Sequence, residues 1–255
     1  MTAADDCADS DVHLAHSALA DGTRVRFDAA GDSGVIAIFS HGEDVHRWAN
    51  AQGLARGLRA ILGTRARTVV AAYDSVFVDF DGERCTVEQI AGTMQTLARS
   101  APFPIPVPHH RIVLPMVYGG EFGPDLPAVA DHLSLTEQDV IAAHCRTAFV
   151  VRTVGSPPGS PLMDAPASLR GVPRRIVPRA QVPAGSLALA GLQSTIYATP
   201  SPGGWQLIGR TPVTLMELGR TDPVRVAPGD LIEFRPIPAR RWSALSGAAP
   251  LVCRG

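Results

Sequence analysis

The chain has 255 residues, enough for one large or two ordinary domains, and only 5% of them are aromatic, so aliphatic side chains must build its core. A formal charge of −1 leaves no electrostatic footprint for nucleic acid or for an anionic membrane. All 23 Lys+Arg residues are arginine, which excludes a P-loop lysine, a Schiff-base lysine and a biotin-attachment site, and leaves arginine, backbone N–H groups or a metal to clamp any phosphate or carboxylate.

The N-terminal stretch MTAADDCADSDVHLAH is acidic and lacks the basic start and apolar middle of a signal peptide, so residues 1–22 read as a loose tail. No apolar run approaches the ~20 residues that span a bilayer. Cys7, Cys85, Cys145 and Cys253 form no C-x-x-C pair, which suits isolated thiols in a reducing cytoplasm.

Residues 23–100 read as a small α+β domain. Gly34–Phe39 is a buried strand, with Arg24–Phe27 a candidate partner before it. From Val45 to Leu62 the apolar Val45, Trp48, Leu54, Leu58 and Ile61 recur at helical spacing, behind a cap at Asp44. Thr68–Ala72 and Val76–Phe80 follow as strands, and Thr86-Val-Glu-Gln89 is a capping box that opens a second helix. The order β-α-β-β-α is close to a ferredoxin-like half-sandwich.

Ala101–His110 carries four prolines and reads as a stiff linker kept out of both cores. Residues 111–238 form the second domain. Arg111–Tyr118 is a strand ending at Gly119-Gly120, and two short helices follow, roughly Pro124–His132 and Glu137–Arg146, the latter capped by Thr136. The pair has the outline of a helix-turn-helix, but EQDVIAAHCR carries two acids and one arginine, poor chemistry against phosphates.

Beyond it, Phe149–Val154, Arg174–Val177, Leu187–Ala190, Thr195–Tyr197, Trp205–Ile208, Val213–Leu218 and Leu231–Arg235 give about seven strands between Pro and Gly turns, enough for a small closed barrel. Residues 239–255 read as a loose tail. The stretch Arg179–Pro212 is the densest in turn residues, and its polar groups suit the rim of such a barrel.

Candidate functional residues concentrate in two places. Gly119-Gly120-Glu121-Phe122-Gly123-Pro124-Asp125 leads a glycine-rich turn into a helix N-terminus whose free N–H groups suit an anion, while Asp125 equally suits the helix dipole as a structural cap. Arg179 and Arg210 are candidates for an anion clamp or for surface ion pairs. Gln193 offers both a donor and an acceptor to a bound group, and Trp205 fits either over a ligand or inside the barrel. His132 and His144 lie on neighbouring helices where both are able to face one pocket. No Ser-His-Asp spacing, nucleophile elbow or P-loop is present, which argues against a self-contained serine hydrolase or ATPase.

Three motifs in order, Tyr118-Gly-Gly-Glu-Phe-Gly-Pro-Asp-Leu126, PRAQVPAGS and SPGGWQLIGRTP, resemble the B-subunit family of ATP-dependent 5-oxoprolinase, also called KipI or allophanate hydrolase subunit 1. The resemblance runs from about Arg24 to Ile237 and is strongest from Val117 onward. It implies an α+β N-terminal domain followed by a cyclophilin-like β-barrel. It also implies a partner, a second carboxyltransferase-type subunit (the KipA-like C-subunit of 5-oxoprolinase). A lactam-ring-opening A-subunit remains an open addition.

It further implies joint ATP-dependent opening of 5-oxoproline to glutamate, with ATP and Mg²⁺ as cofactors. In that reading Glu121, Asp125, His144, Arg179 and Arg210 are catalytic, and Gln193, Trp205, Gly119 and Gly120 bind substrate. Two departures stand out. Gly155-Ser-Pro-Pro-Gly-Ser-Pro-Leu-Met163 replaces aromatic positions with Ser156, Ser160 and Leu162, and Gln193-Ser-Thr-Ile-Tyr197 lacks the family's glycine. Other functions open to the family are inhibition of a sensor histidine kinase and a place in a urea- or allophanate-degrading enzyme, whose biotin would have to lie elsewhere.

Overall fold

The structure is a computed structural model that describes residues 13–108 and 110–254. It divides into two compact units between Pro106 and Val107.

In the first unit, three strands come before the first helix: β1 (His13–Ala18), β2 (Arg24–Ala29) and β3 (Gly34–Ser40). They are followed by α1 (Asp44–Leu62), β4 (Ala66–Ala71), β5 (Ser75–Phe80) and α2 (Val87–Ala98). The sheet runs β1-β2-β3-β5-β4 and every pairing in it is antiparallel. Alternation decides the buried face: Val25 and Phe27 on β2, and Val76, Val78 and Phe80 on β5, point to the helices. Trp48, Ala51, Leu54, Ala55, Leu58 and Leu62 form the inner stripe of α1.

Ile61, expected on that stripe, is 50% exposed, and the helix is capped at Glu43 rather than Asp44. The Thr86–Gln89 capping box is present in full. The tail expected over residues 1–22 is corrected in part. His13–Ala18 pairs with β2, because an antiparallel neighbour satisfies the edge N–H and C=O groups of that strand; residues 1–12 lie outside the described residues.

The expected linker also departs from expectation. Phe103 packs into the first core, its backbone N–H donates to Asn50 Oδ1 at 3.0 Å, and Asn50 Nδ2 donates to Asp21 at 2.9 Å. Gly53 makes room for the ring, since a Cβ there would lie 2.2 Å from Phe103 Cγ.

In the second unit the elements are β6 (His110–Tyr118), α3 (Leu126–Leu133), α4 (Glu137–Cys145), β7 (Phe149–Gly155), β8 (Ser160–Asp164), β9 (Arg179–Val182), β10 (Ser186–Ala190), β11 (Gln193–Ile196), β12 (Ser201–Gly203), β13 (Gln206–Arg210), β14 (Leu231–Pro236), α5 (Trp242–Leu245) and β15 (Leu251–Arg254). Seven strands close into a barrel in the order β13-β10-β11-β8-β7-β14-β6. Closure comes from Tyr118 and Val117 pairing with Gly209 and Arg210. Closure leaves no open edge in the ring.

The number of strands matches the sequence reading, but their identity does not. Arg174–Val177 and Val213–Leu218 are loops, and the ring is completed instead by Ser160–Asp164 and by the strand over Arg111–Tyr118, which the sequence reading did not count among the seven. Residues 239–255 are not a loose tail either: α5 and β15 lie there, and β15 pairs with β6. Aliphatic and aromatic side chains fill the barrel, among them Ile112, Leu114, Met116, Phe149, Val151, Met163, Leu187, Leu189, Ile196, Ile208, Ile232 and Phe234, with Leu126, Val129, Ala130 and Val140 of α3 and α4 in the same core. A second, smaller cluster of Val182, Ala188, Tyr197 and Leu207 lies by the two-stranded β9–β12 sheet, with Trp205 against it.

Candidate functional site

The glycine-rich loop after β6 is laid along β13. Gly119 and Gly120 have φ of 68° and 54°, which lets the chain reverse at little cost. Gly119 N–H then donates to the Ile208 carbonyl at 3.1 Å, and Asp125 N–H to the Leu207 carbonyl at 2.9 Å. Between them Gly123 lies so close to β13 that a Cβ would be 2.1 Å from the Ile208 oxygen, so no other residue fits this backbone.

The loop delivers Asp125 to a place where it is only 6% exposed and meets four N–H donors. Arg179 grips it as a fork, Nη1 to Oδ2 at 2.9 Å and Nη2 to Oδ1 at 2.8 Å. Arg175 Nη1 adds a bond of 3.1 Å to Oδ1, and Leu207 N–H one of 2.7 Å to Oδ2. With two guanidinium groups on one carboxylate the cluster keeps a net positive charge. Asp125 stands at the N-cap of α3 but makes no side-chain cap bond, because its oxygens are taken by partners from distant segments.

Next to this cluster Trp205 is half-buried, with Arg174 Cζ 5.7 Å from its ring centroid. Its backbone N–H donates to the hydroxyl of Tyr197, whose pKa burial raises above the ordinary range. Gly203 is required here, since a Cβ would lie 2.3 Å from that hydroxyl. Arg210, at the other end of β13, donates Nε to the Ala184 carbonyl at 2.8 Å and lies 5.1 Å above the Trp242 ring, which in turn rests on Phe122 at 4.7 Å.

Arg179 and Asp125 are therefore together, each the other's partner, and Gly119, Gly120 and the exposed Glu121 belong to the same loop. Gln193 is apart from Arg210. It pairs with Ala190 while Arg210 pairs with Ser186, so the two stand at opposite ends of β10, roughly 13 Å apart along the strand, and Gln193 shares its end with Gln206, which follows Trp205 and pairs with Leu189.

His132 and His144 share no pocket. His132 is exposed, with Nε2 3.2 Å from the Gly171 carbonyl. His144 is fully buried against Phe149 and Phe234, its Nδ1 2.8 Å from the Tyr118 hydroxyl and its Nε2 without a partner. Burial pushes the imidazole down to about 3, and it pushes the Tyr118 hydroxyl well up, helped by Cys145. A neutral ring sealed in the core cannot exchange protons with a ligand at the surface.

The two departures noted in the sequence meet each other. Thr195 Oγ1 donates to the Pro161 carbonyl at 2.8 Å, Ser160 Oγ accepts from Ala198 N–H at 3.0 Å, and Ser156 is exposed. Cys85, Cys145 and Cys253 are free thiols; Cys7 lies outside the described residues.

Arg174, Arg175, Tyr197 and Trp242 were missed by sequence reasoning. The signal available was charge: Ala165 to Met216 contains five arginines and no Asp or Glu. What these arginines meet was not visible, because Asp125 lies 50 and 54 residues away from its guanidinium partners.

Comparison with known proteins places these features. The family model for the carboxyltransferase domain, subdomain C and D, matches residues 25–226. The 5-oxoprolinase B-subunit of Escherichia coli O157:H7 is 42% identical over 125 residues, 49% of this chain and 57% of that protein. Among solved structures, TTHA0988 superposes with a TM-score of 0.70 at 29% identity, over 82% of this chain and 40% of the other. The Kluyveromyces lactis urea carboxylase reaches 0.79 at 18% identity over 95% of this chain and 25% of its own, a likeness of fold alone. The match thus spans little more than half of the Escherichia coli protein's length.

Proposed function

The chain belongs to the carboxyltransferase subdomain C and D family, and from that premise we propose that it is one subunit of an ATP-dependent 5-oxoprolinase, working with a companion carboxyltransferase-type subunit to open 5-oxo-L-proline to L-glutamate. In this reading the first unit is ferredoxin-like, the barrel is cyclophilin-like, and the assembly is cytoplasmic. For its part, the chain has no helix among the described residues long and apolar enough to cross a membrane.

The observation that carries the proposal is the arginine-rich surface beside Trp205. Asp125 neutralises only part of the charge of Arg175 and Arg179, and Arg174 lies exposed over an aromatic face. A planar guanidinium takes a carboxylate or phosphate through two parallel N–H bonds. Arg174 would hold the carboxylate of the lactam or a phosphate, Trp205 would pack against the ring, and Asp125 with Arg179 would hold the loop in place rather than touch the substrate.

ATP would supply the phosphoryl group that activates the amide oxygen, so that water adds at the ring carbon, the C–N bond breaks with the amine taking the proton, and the acyl phosphate left behind is hydrolysed to glutamate and phosphate. The surface arginines fit a phosphate, but the acidic groups do not fit Mg²⁺: Asp125 is saturated, Glu121 stands alone, and the described residues hold no group of three or more His, Cys, Asp or Glu side chains able to bind a metal. No step on this chain is therefore assigned to a metal. With no nucleophile elbow and no P-loop, the chain contributes half of a site.

Reconstitution tests this. Mixed with its companion subunit, the chain should support phosphate release from ATP that depends on 5-oxoproline, and neither of the two should do so by itself. No such release from the mixture would overturn the assignment. A second reading, inhibition of a sensor histidine kinase, draws support from the exposed Ile176 and Val177; capture of a kinase dimerisation helix, unaffected by Arg179→Ala, would favour it.

A further inference from the structure

The loop between Pro173 and Arg179 is inside out. Loops ordinarily send arginine into water and keep aliphatic side chains from it. Here Arg175 and Arg179 turn inward onto Asp125 and Arg174 lies over Trp205, while Ile176 is 100% exposed and Val177 72% exposed. The backbone is held as firmly. Gln206 Nε2 donates to the Pro173 carbonyl at 3.0 Å, Arg175 N–H to the Gly204 carbonyl at 2.8 Å, and Arg175 Nε to the Val177 carbonyl at 3.4 Å. A slack loop would fold the aliphatic pair back against the barrel; this one is pinned on both sides so that it cannot.

We infer that Ile176 and Val177 form a rigid docking tip that enters an apolar socket, rimmed by carboxylates, on a partner protein. Charge selects that rim. Between Asp164 and Glu217 the chain has Arg170, Arg174, Arg175, Arg179 and Arg210 and no acid; Arg170 is exposed, and so is Arg174, two residues before the tip. A small anion alone would give no use to two aliphatic side chains held in water. A bilayer surface with anionic headgroups would call for a cluster of about four or more free cations, whereas Arg175 and Arg179 are committed to Asp125 and Arg210 to the Ala184 carbonyl and Trp242. The inference rests on the reading above, in which the occupant is the companion carboxyltransferase-type subunit. That would seat the interface beside Arg174 and Trp205 and complete the half-site there.

The test is the affinity of the purified full chain for the purified companion subunit. The I176D/V177D variant should bind about thirtyfold more weakly or worse, as expected for central apolar anchors. Its unfolding midpoint should not move, since both side chains are already in water. Ile176→Leu should keep the affinity, and Arg174→Glu should slow association and flatten its dependence on salt. Wild-type affinity in I176D/V177D overturns the docking tip while leaving the 5-oxoprolinase reading intact. Failure of the wild-type chain to bind the companion overturns that reading and this occupant with it. A homodimer of the wild-type chain that I176D/V177D abolishes overturns the companion as occupant in favour of a second copy.

Discussion

Replacing Asp125 with asparagine keeps the side-chain shape and removes the charge that two arginines share. The carboxylate accepts from Arg179 at 2.9 and 2.8 Å, from Arg175 at 3.1 Å and from Leu207 N–H at 2.7 Å. An amide keeps one acceptor oxygen and turns an NH₂ group toward the remaining donors. Breaking a buried ion pair from one side costs about 3–5 kcal/mol. Side chains of Arg175 and Arg179 are 35% and 22% exposed, so water recovers part of their hydration and the lower end, about 3 kcal/mol, is expected. In a unit of about 150 residues that lowers Tm by about 6–12 °C.

Urea unfolding followed by tryptophan fluorescence measures it, because Trp205 and Trp242 report the second unit and Trp48 the first. The second-unit midpoint should fall with its slope unchanged, and the Trp48 signal should keep its midpoint. If the Asp125→Asn protein is as stable as wild type yet loses 5-oxoproline-dependent turnover, the carboxylate acts on the substrate and the structural argument is wrong.

Further outcomes follow from the same geometry. His144 in the fold takes a proton only near pH 3 but does so near 6.5 when unfolded, so the unfolded chain binds more protons and stability is lost as pH falls from about 6.5 toward 3, by on the order of 5 kcal/mol; His144→Phe should flatten that dependence in urea midpoints measured at successive pH values. Gly123→Ala drives a Cβ into the Ile208 carbonyl and should prevent folding of the second unit, whereas Gly120→Ala, with open space around it and only a positive φ to strain, should cost about 1 kcal/mol by calorimetry. Arg174→Ala should raise the KM for 5-oxoproline about tenfold without moving Tm. Arg210→Ala should leave KM unchanged, since Arg210 stands at the far end of β13 from Trp205; a rise in KM for that variant would place the substrate elsewhere on the barrel.

Local chemistry was legible wherever it acts within a few residues. The Thr86–Gln89 capping box and the Thr136 N-cap stand where the sequence puts them, because each closes on a backbone N–H three residues away. The same holds for the reversal at Gly119-Gly120. Errors arose where a segment's state depends on a remote partner. Arg174–Val177 has strand composition, but its arginines find Asp125 and Trp205 and hold it as a loop. Ser160–Asp164, with Pro161 inside it, is absent from the expected strands, yet β7 and β11 flank it. His144 reads as a candidate acid or base on an amphipathic helix, and only the rings of Phe149 and Phe234 make it a core residue.

By itself, the sequence determined the chemical repertoire: no lysine, arginine as the sole strong cation, glycines where the chain must reverse or pass close to another strand, and enough short β-runs for a barrel. Tertiary structure decided how that repertoire is used. It gave Asp125 four donors drawn from as far as 82 residues along the chain, so that a residue placed to cap a helix became the anchor of two loops. In doing so it turned the arginines of Arg179–Pro212 and the segment before it inward, leaving Ile176 and Val177 in water. The physical reason is that a buried carboxylate must be saturated by donors, and nothing local to Asp125 in sequence supplies them.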